Sequence, residues 1–322
     1  MRYLRKSWLW LIAFVVSCSV VFGVVQAADV SFTITDQEVT AEVQANGDVK
    51  FVQKWRYNID KVNGVYMKVD AGQYRLGQYR IGMENSSGDI TYFTESSAGT
   101  TGTFSATTDN DKITTFKVYY PAKNQIVTFV AEYTLQNLVT NYADTAELNR
   151  KLIGDGVDSV TNVNAKVILP GKVDDADSFK AWAHGAPQGR VELGEENGRS
   201  TVTLTVRDNP SNRFVEVHTI FPTSLTPTNT NVVNENKKTA IEQAEANQVA
   251  KDKAEHERSL LIRNVVKWLA LAISSLLPIR LWYRYLKRRR ELNPHPVQLP
   301  RMIVMVYIKL TELNKCVNVA VH

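Results

Sequence analysis

The sequence predicts a mainly β fold: an antiparallel β-sandwich, followed by a helical spacer and one transmembrane helix. Three features lead to this prediction. Residues 30–221 contain many short runs of alternating apolar and polar side chains, residues 237–258 are rich in Lys, Ala, Glu and Gln, and residues 265–286 are largely apolar. With an apolar N-terminus, these features divide the chain into segments 1–27, 28–222, 223–259, 260–286 and 287–322.

The predicted strands follow from a period of two in hydrophobicity. In residues 49–59 apolar side chains alternate with polar ones, as in a half-buried strand. Asn46-Gly47 precedes this run and predicts a tight hairpin, because both residues accept a positive φ. Further strands are expected at 112–120, 126–135, 163–169, 201–206 and 213–220. We expect a hairpin tip or a loose loop at 86–108 and a short helix at 145–152.

The N-terminus has the three parts of a secretory signal peptide. A basic start leads into an apolar run over residues 8–25, and Val25-Gln26-Ala27 places small residues at the cleavage positions. We expect cleavage after Ala27 or Ala28, so that the β domain is exported and extracellular. The alternative is an uncleaved membrane anchor.

Residues 265–286 have the length of a membrane-spanning helix, which needs roughly 20 largely apolar residues. Lys267, Arg280 and Arg284 lie near its ends, where long basic side chains can reach the headgroups. The basic residues 287–290 indicate the cytoplasmic side. We therefore expect a single-pass protein of the cell membrane, with the N-terminal domain outside and a short basic C-terminal tail in the cytoplasm. The alternative is a basic amphipathic helix that lies on the membrane.

The charge distribution favours a membrane partner over a nucleic acid. The whole chain has a net charge of +5, but residues 29–259 contain 24 Lys and Arg against 31 Asp and Glu, a net charge of −7. The positive charge therefore belongs to the two ends, and the folded part shows no basic stripe for nucleic acid. Cys18 and Cys316 lie outside residues 28–222, so we expect neither a disulfide nor a thiol nucleophile in the β domain.

Several spaced motifs between residues 141 and 218 carry a family resemblance. They are Asp144-Thr145-Ala146-Glu147-Leu148-Asn149, Ile153-Gly154-Asp155, residues 163–170, Trp182-Ala183-His184-Gly185 and Val215-Glu216-Val217. With Asn46-Gly47-Asp48 upstream, they make the chain resemble the bacterial predicted membrane proteins of "domain of unknown function 2207". The resemblance implies a signal peptide, an extracellular β domain and a membrane helix, usually with further membrane helices after it. It implies no known activity.

The chain departs from the family pattern in two places. Arg150 stands where the family usually has an aromatic residue after Glu-Leu-Asn. The resemblance also fades after about Pro300, and residues 302–310 form an apolar run that is too short to span a membrane. We therefore expect a truncated or frame-shifted copy.

His184 is the strongest candidate for a catalytic residue, with Asp144 and Glu147 as possible acidic partners. An imidazole oriented by a carboxylate can act as a general base. No Ser or Cys lies in a nucleophile motif, so a histidine that orders a turn beside Trp182 is the favoured interpretation.

Asp174, Asp175 and Asp177 are the weak candidates for metal binding. Their spacing lacks the glycine and the distal glutamate of a calcium loop, which favours a solvated acidic turn. No pair of histidines has metal-ligand spacing. We therefore expect neither a metal nor a cofactor.

The features together favour a membrane-anchored extracellular domain with a binding or assembly role in the bacterial cell envelope. The expected partners are the lipid bilayer and either cell-wall polymer or another membrane protein. Two alternatives remain: an envelope hydrolase that uses His184, and an extracellular sensor that signals through the helix at 237–286.

Overall fold

The computed structural model describes residues 30–186 and 188–292, and the predicted signal peptide and most of the predicted tail lie outside these residues. The elements, in chain order, are β1 (Ser31–Val43), β2 (Val49–Val62), β3 (Val65–Asp70), β4 (Arg75–Glu84), β5 (Ile90–Tyr92), β6 (Thr94–Glu95), β7 (Thr103–Thr108), β8 (Ile113–Tyr119), β9 (Ala122–Gln136), β10 (Thr140–Asn141), β11 (Ala146–Ile153), β12 (Thr161–Ile168), β13 (Lys180–His184), β14 (Arg190–Glu196), β15 (Arg199–Asn209), β16 (Val215–Phe221) and α1 (Lys238–Leu292). The mainly β prediction is confirmed.

An eight-stranded sheet with the order β14-β15-β12-β1-β2-β9-β4-β5 forms the largest part of the fold. Its central hairpin joins β1 to β2 through the predicted turn, in which Gly47 has a φ of +81°. The predicted antiparallel pairing holds for most strand pairs, but β1–β12 and β6–β7 are parallel. β1 and β12 are separated by more than a hundred residues in sequence, so the chain can return in the same direction.

Two four-stranded sheets accompany the large one, with the orders β10-β11-β16-β13 and β3-β8-β7-β6. Side chains from all three sheets join one hydrophobic core that includes Phe51, Phe116, Phe129 and Leu148. Phe51 stacks on Tyr133 with ring centroids 5.0 Å apart. Because successive strand side chains point to opposite faces, the alternating sequence runs supply one apolar face per strand to this core.

One local prediction is wrong. The expected helix at 145–152 is strand β11, which pairs with β16 and buries Ala146 and Leu148. Its Glu, Leu, Arg and Lys residues favour helix only weakly, and tertiary pairing overrides that preference. Residues 86–108, expected as a hairpin tip or a loose loop, contain the tip of the antiparallel β4–β5 hairpin and the short strands β5, β6 and β7.

The segment after β16 is hydrogen-bonded to the β domain, although the sequence predicted a linker there. Asn141 exchanges backbone hydrogen bonds with this segment: its N–H donates to the Asn231 carbonyl at 2.9 Å, and its carbonyl accepts from the Val233 N–H at 2.8 Å. The Thr226 side chain is fully buried and donates to the Asn141 side chain at 2.8 Å. One compact unit therefore extends to Glu245, and a second begins at Ala246.

The predicted spacer and the predicted membrane segment belong to one helix, α1, so the helical prediction is confirmed. The predicted transmembrane span is not found: among residues 30–186 and 188–292, no helix is both long and apolar enough to cross a membrane. Lys267, Ser274, Arg280 and Arg284 interrupt the apolar run of α1.

Candidate functional site

A cluster of polar side chains lies on one face of the sheet formed by β11, β16 and β13. β16 is the middle strand, and His218 on it lies opposite Asn149 of β11 and Trp182 of β13. Glu147 and His184 are two residues away from those partners along their own strands. They therefore share the face of His218 as its diagonal neighbours.

The first turns of α1 bring further charged groups to this face. Asp144, just before β11, caps the helix start, because its carboxylate accepts hydrogen bonds from the backbone N–H groups of Lys237 at 2.8 Å and Lys238 at 3.2 Å. Glu242 pairs with Lys180 of β13 at 2.9 Å. Ile241, one helical turn before Glu245, is buried. These contacts fix the helix start on the domain and place Glu245 in the cluster.

His218 lies between two carboxylates. Its Nδ1 is 2.6 Å from Glu245 Oε1, and its Nε2 is 2.7 Å from Glu147 Oε1. Both glutamates belong to the described compact unit, and the side chains of His218 and Glu245 are more than nine-tenths buried. A carboxylate only accepts hydrogen bonds, so the geometry favours a proton on both nitrogens, that is, an imidazolium.

The direction of the pKa shift of His218 follows from its two carboxylate partners. Burial alone would lower the pKa of His218, but the hydrogen bonds and charges of Glu147 and Glu245 outweigh burial, and the pKa is raised. Burial would likewise raise the pKa of Glu147, yet the hydrogen bond and charge of His218 lower it. Burial, followed by the charge of Glu147 and a hydrogen bond to it, raises the pKa of Tyr142 to about 12. The charged forms of His218 and Glu147 therefore stabilise each other.

His184 joins the cluster through Glu245. Its Nε2 lies 3.1 Å from Glu245 Oε2 and 3.3 Å from Oε1. β13 ends at His184, and Gly185 follows with a φ of +95°, which turns the chain away from the sheet edge. The Trp182 ring packs beside His218 with the ring centroids 5.5 Å apart.

The structure brings together some of the predicted site residues and separates others. His184 and Glu147 both belong to the cluster. Glu147 was predicted as a partner of His184, but its carboxylate is hydrogen-bonded to His218. Asp144 caps α1 and is no partner of His184 among the contacts of the described residues. His218 and Glu245 were missed. The alternation of Val215, Val217 and Thr219 with polar residues would have placed His218 on a polar strand face, whereas nothing in the sequence linked Glu245 to that strand.

Asp174, Asp175 and Asp177 lie in an exposed turn. The Asp175 carboxylate accepts a hydrogen bond from the Asp177 N–H at 3.1 Å and caps the short 3-10 helix Ala176–Ser178. The Asp174 Oδ1 atom lies 3.9 Å from Lys172 Nζ. These carboxylates thus take part in local turn structure.

The cluster also has the composition of a metal centre. His184, His218 and Glu245 each offer one ligand atom, and the three atoms lie within 4.8 Å of one another. Two imidazoles and one carboxylate are a ligand set that divalent transition metals accept.

A family model described as "Predicted membrane protein (DUF2207) N-terminal domain" matches residues 33–221. The chain belongs to this family. The predicted family is thereby confirmed. Glu147, His184 and His218 lie inside the matched residues, and Glu245 lies after them. A search of the curated proteins gave no match.

Solved structures with a partly similar chain path share little sequence with this DUF2207 protein. A "putative protease" from Parabacteroides distasonis has 10% identity and a TM-score of 0.40, and the match covers 59% of this chain and 40% of that one. An M1 zinc metallopeptidase from Deinococcus radiodurans has 11% identity and a TM-score of 0.32, with 58% and 42% covered. The chain thus spans about two fifths of the length of these proteins.

Proposed function

We propose that this DUF2207 protein is a membrane-anchored protein of the cell envelope, in which residues 261–285 of α1 contact lipid and the β domain lies on the outer side. The observation that carries the proposal is the exposure of large apolar side chains on this part of the helix. A binding or assembly role towards wall polymer or another membrane protein is consistent with an outward-facing domain.

The exposed side chains are unusual for a helix in water. Trp268 is 71% exposed, Tyr283 is 68% exposed and Leu261 is 66% exposed. The other large exposed apolar residues of the segment are Ile262, Val265, Val266, Leu269, Leu271, Leu276, Ile279, Leu281, Trp282 and Tyr285. Contiguous apolar surface of this extent is characteristic of a membrane or protein contact site.

The residues at the ends of the segment favour lipid as the contact. Trp268 lies near one end, and Trp282, Tyr283 and Tyr285 lie near the other, as in the aromatic belts at membrane interfaces. Lys287, Arg288 and Arg289 follow directly and would attract anionic headgroups. A soluble protein partner would not require this combination of aromatic and basic flanks.

The β domain would be held near the bilayer by the chain itself. α1 runs without interruption from Lys238 to Leu292, so the residues fixed on the sheet and the apolar segment belong to one helix. The contacts of Asp144 and Glu242 join the start of α1, residues 238–245, to the domain.

Membrane fractionation of cells that express the full chain tests the anchor. We expect the wild type in the membrane fraction after washes with high salt and alkaline carbonate, since apolar contact resists both. The double variant Leu269→Asp, Leu276→Asp should move to the soluble fraction, because carboxylates are costly in hydrocarbon. Val249→Asp is the matched control: Val249 is an exposed apolar residue of α1 outside the segment, and this variant should stay with the membrane. Release of the wild type by salt alone would refute the anchor.

A further inference from the structure

We infer that His184, His218 and Glu245 form a binding site for one divalent transition-metal ion, with zinc as the best-matched ion. The site lies where the start of α1 crosses β13 and β16. This inference is independent of the proposed membrane anchor.

The donor set and its spacing suit the ion. Zinc is commonly held by two histidines and one glutamate, with nitrogen and oxygen ligands about 2.0–2.2 Å from the metal. Ligand atoms of such a site are roughly 3.3 Å apart. The three ligand atoms lie within 4.8 Å of one another, so small side-chain rotations would bring them to the required distances.

Glu147 supplies the second feature of a metal site. A histidine ligand usually donates its other ring N–H to a carboxylate, which fixes the ring and makes the free nitrogen more basic. Glu147 Oε1 is 2.7 Å from His218 Nε2, so Nε2 keeps its proton, and a metal ion would replace the proton on Nδ1, which is released to solvent.

The carboxylate of Glu245 supplies independent support. Glu245 is 7% exposed, and its Oε2 is buried without a hydrogen-bond partner. His184 Nε2 lies 3.1 Å from Glu245 Oε2 but does not have the angles of a hydrogen bond to it. The hydrogen bond of His184 is to the other carboxylate oxygen, Oε1, at 3.3 Å. An unsatisfied buried acceptor is costly, and a cation between Oε2 and the two imidazoles would satisfy it.

The site is partly open to solvent on the side of His184. The side chain of His184 is 19% exposed, whereas those of His218 and Glu245 are 8% and 9% exposed. Three protein ligands with one open side is the arrangement of metal sites that also bind water or a small anion. The class of ligand expected at the open position is therefore an oxygen donor such as water or a carboxylate.

Metal binding by the purified full chain in detergent tests the inference. The chain should carry a tag without histidine and should be treated with a chelator before titration with Zn²⁺ in a calorimeter. We expect one Zn²⁺ per chain. His184→Ala and Glu245→Gln should each weaken binding by at least about 10-fold, because each removes one of three ligands. Glu147→Gln should weaken it about 10-fold while keeping the stoichiometry, since Glu147 positions His218.

Asp252→Asn is the matched control. Asp252 is an exposed acidic residue of the same helix whose carboxylate accepts a hydrogen bond from Gln248 at 2.8 Å, and the variant should leave zinc affinity unchanged. Co²⁺ provides a second readout, because a four-coordinate site gives a visible absorption band that His184→Ala should abolish. Circular dichroism verifies that each variant is folded. Failure to bind one metal ion per chain, or equal binding by the wild type, His184→Ala and Glu245→Gln, would overturn the inference.

Discussion

Gly185 directly follows His184 and has a backbone conformation that glycine adopts readily and other residues do not. Its φ of +95° lies in the left-handed region, and a Cβ at this position would meet the Phe214 carbonyl oxygen at 2.2 Å. Gly185→Ala should therefore lower the free energy of unfolding by about 2 to 3 kcal/mol. Thermal or urea unfolding of the full chain in detergent measures this.

Gly154→Ala is the matched control for Gly185→Ala. A Cβ at Gly154 meets no atom within 4 Å, and no left-handed φ is required there. This variant should change stability by less than about 0.5 kcal/mol. Equal stability of the two variants would show that the close approach of Gly185 to Phe214 is not present in solution.

Asp144 shows how a candidate for catalysis can have a structural role. Because its carboxylate caps the backbone of Lys237 and Lys238, Asp144→Ala should destabilise the protein by about 1 kcal/mol and accelerate hydrogen exchange of these two amides. Asp144→Asn retains an oxygen acceptor and should preserve most of the protection. Faster exchange in Asp144→Asn than in Asp144→Ala would contradict the capping role.

The site could be predicted only in part at the level of residues. His184 was identifiable because it lies in a compact motif with Trp182 and Gly185. Its actual partner, Glu245, lies 61 positions along the chain on a helix whose polar sequence resembles a solvated spacer. Local patterns report which face of an element is polar, but not which distant element covers it.

At the scale of elements, the first turns of α1 behave as part of the β domain. Ile241 is 5% exposed, while Val249, two turns further on, is 55% exposed. Ile241→Ala should destabilise the domain by roughly 2 kcal/mol or more, because it removes buried apolar atoms and leaves a cavity. Thermal or urea unfolding of the full chain in detergent should therefore show a lower midpoint for this variant.

Val249→Ala removes a branched apolar side chain from the same helix and serves as the control. Since Val249 is exposed, the midpoint should change by less than the equivalent of about 0.5 kcal/mol. A similar loss in both variants would mean that the helix start is not packed on the sheet.

The strands with clear alternation, such as β2 and β12, were predictable because each has one buried face and one face that is partly or fully exposed. β11 was not, since its Ala, Glu, Leu and Lys residues occur as readily in helices and only the pairing with β16 decides. The segment that contains Thr226 and Asn229 also differs from what its composition predicted. Its Pro, Thr and Asn residues are typical of linkers, yet their side chains make buried hydrogen bonds to Asn141.

For the whole molecule, charge and apolar surface are separated along the chain. Residues 29–259 have a net charge of −7, and the basic groups at 287–290 follow the exposed apolar segment. An acidic domain is repelled by anionic headgroups, whereas the basic cluster is attracted to them. The chain therefore combines a domain suited to the aqueous side with a helix suited to lipid contact.

The outward placement of the β domain can be tested by cysteine labelling of whole cells. Ser87 lies at the exposed tip between β4 and β5, so Ser87→Cys in a Cys18→Ser, Cys316→Ser background should react with a maleimide that cannot cross membranes. Thr226→Cys is the control for folding, because Thr226 is fully buried and should react only after denaturation. Labelling of Ser87→Cys in lysed cells but not in intact cells would place the domain on the inner side and refute this part of the proposal.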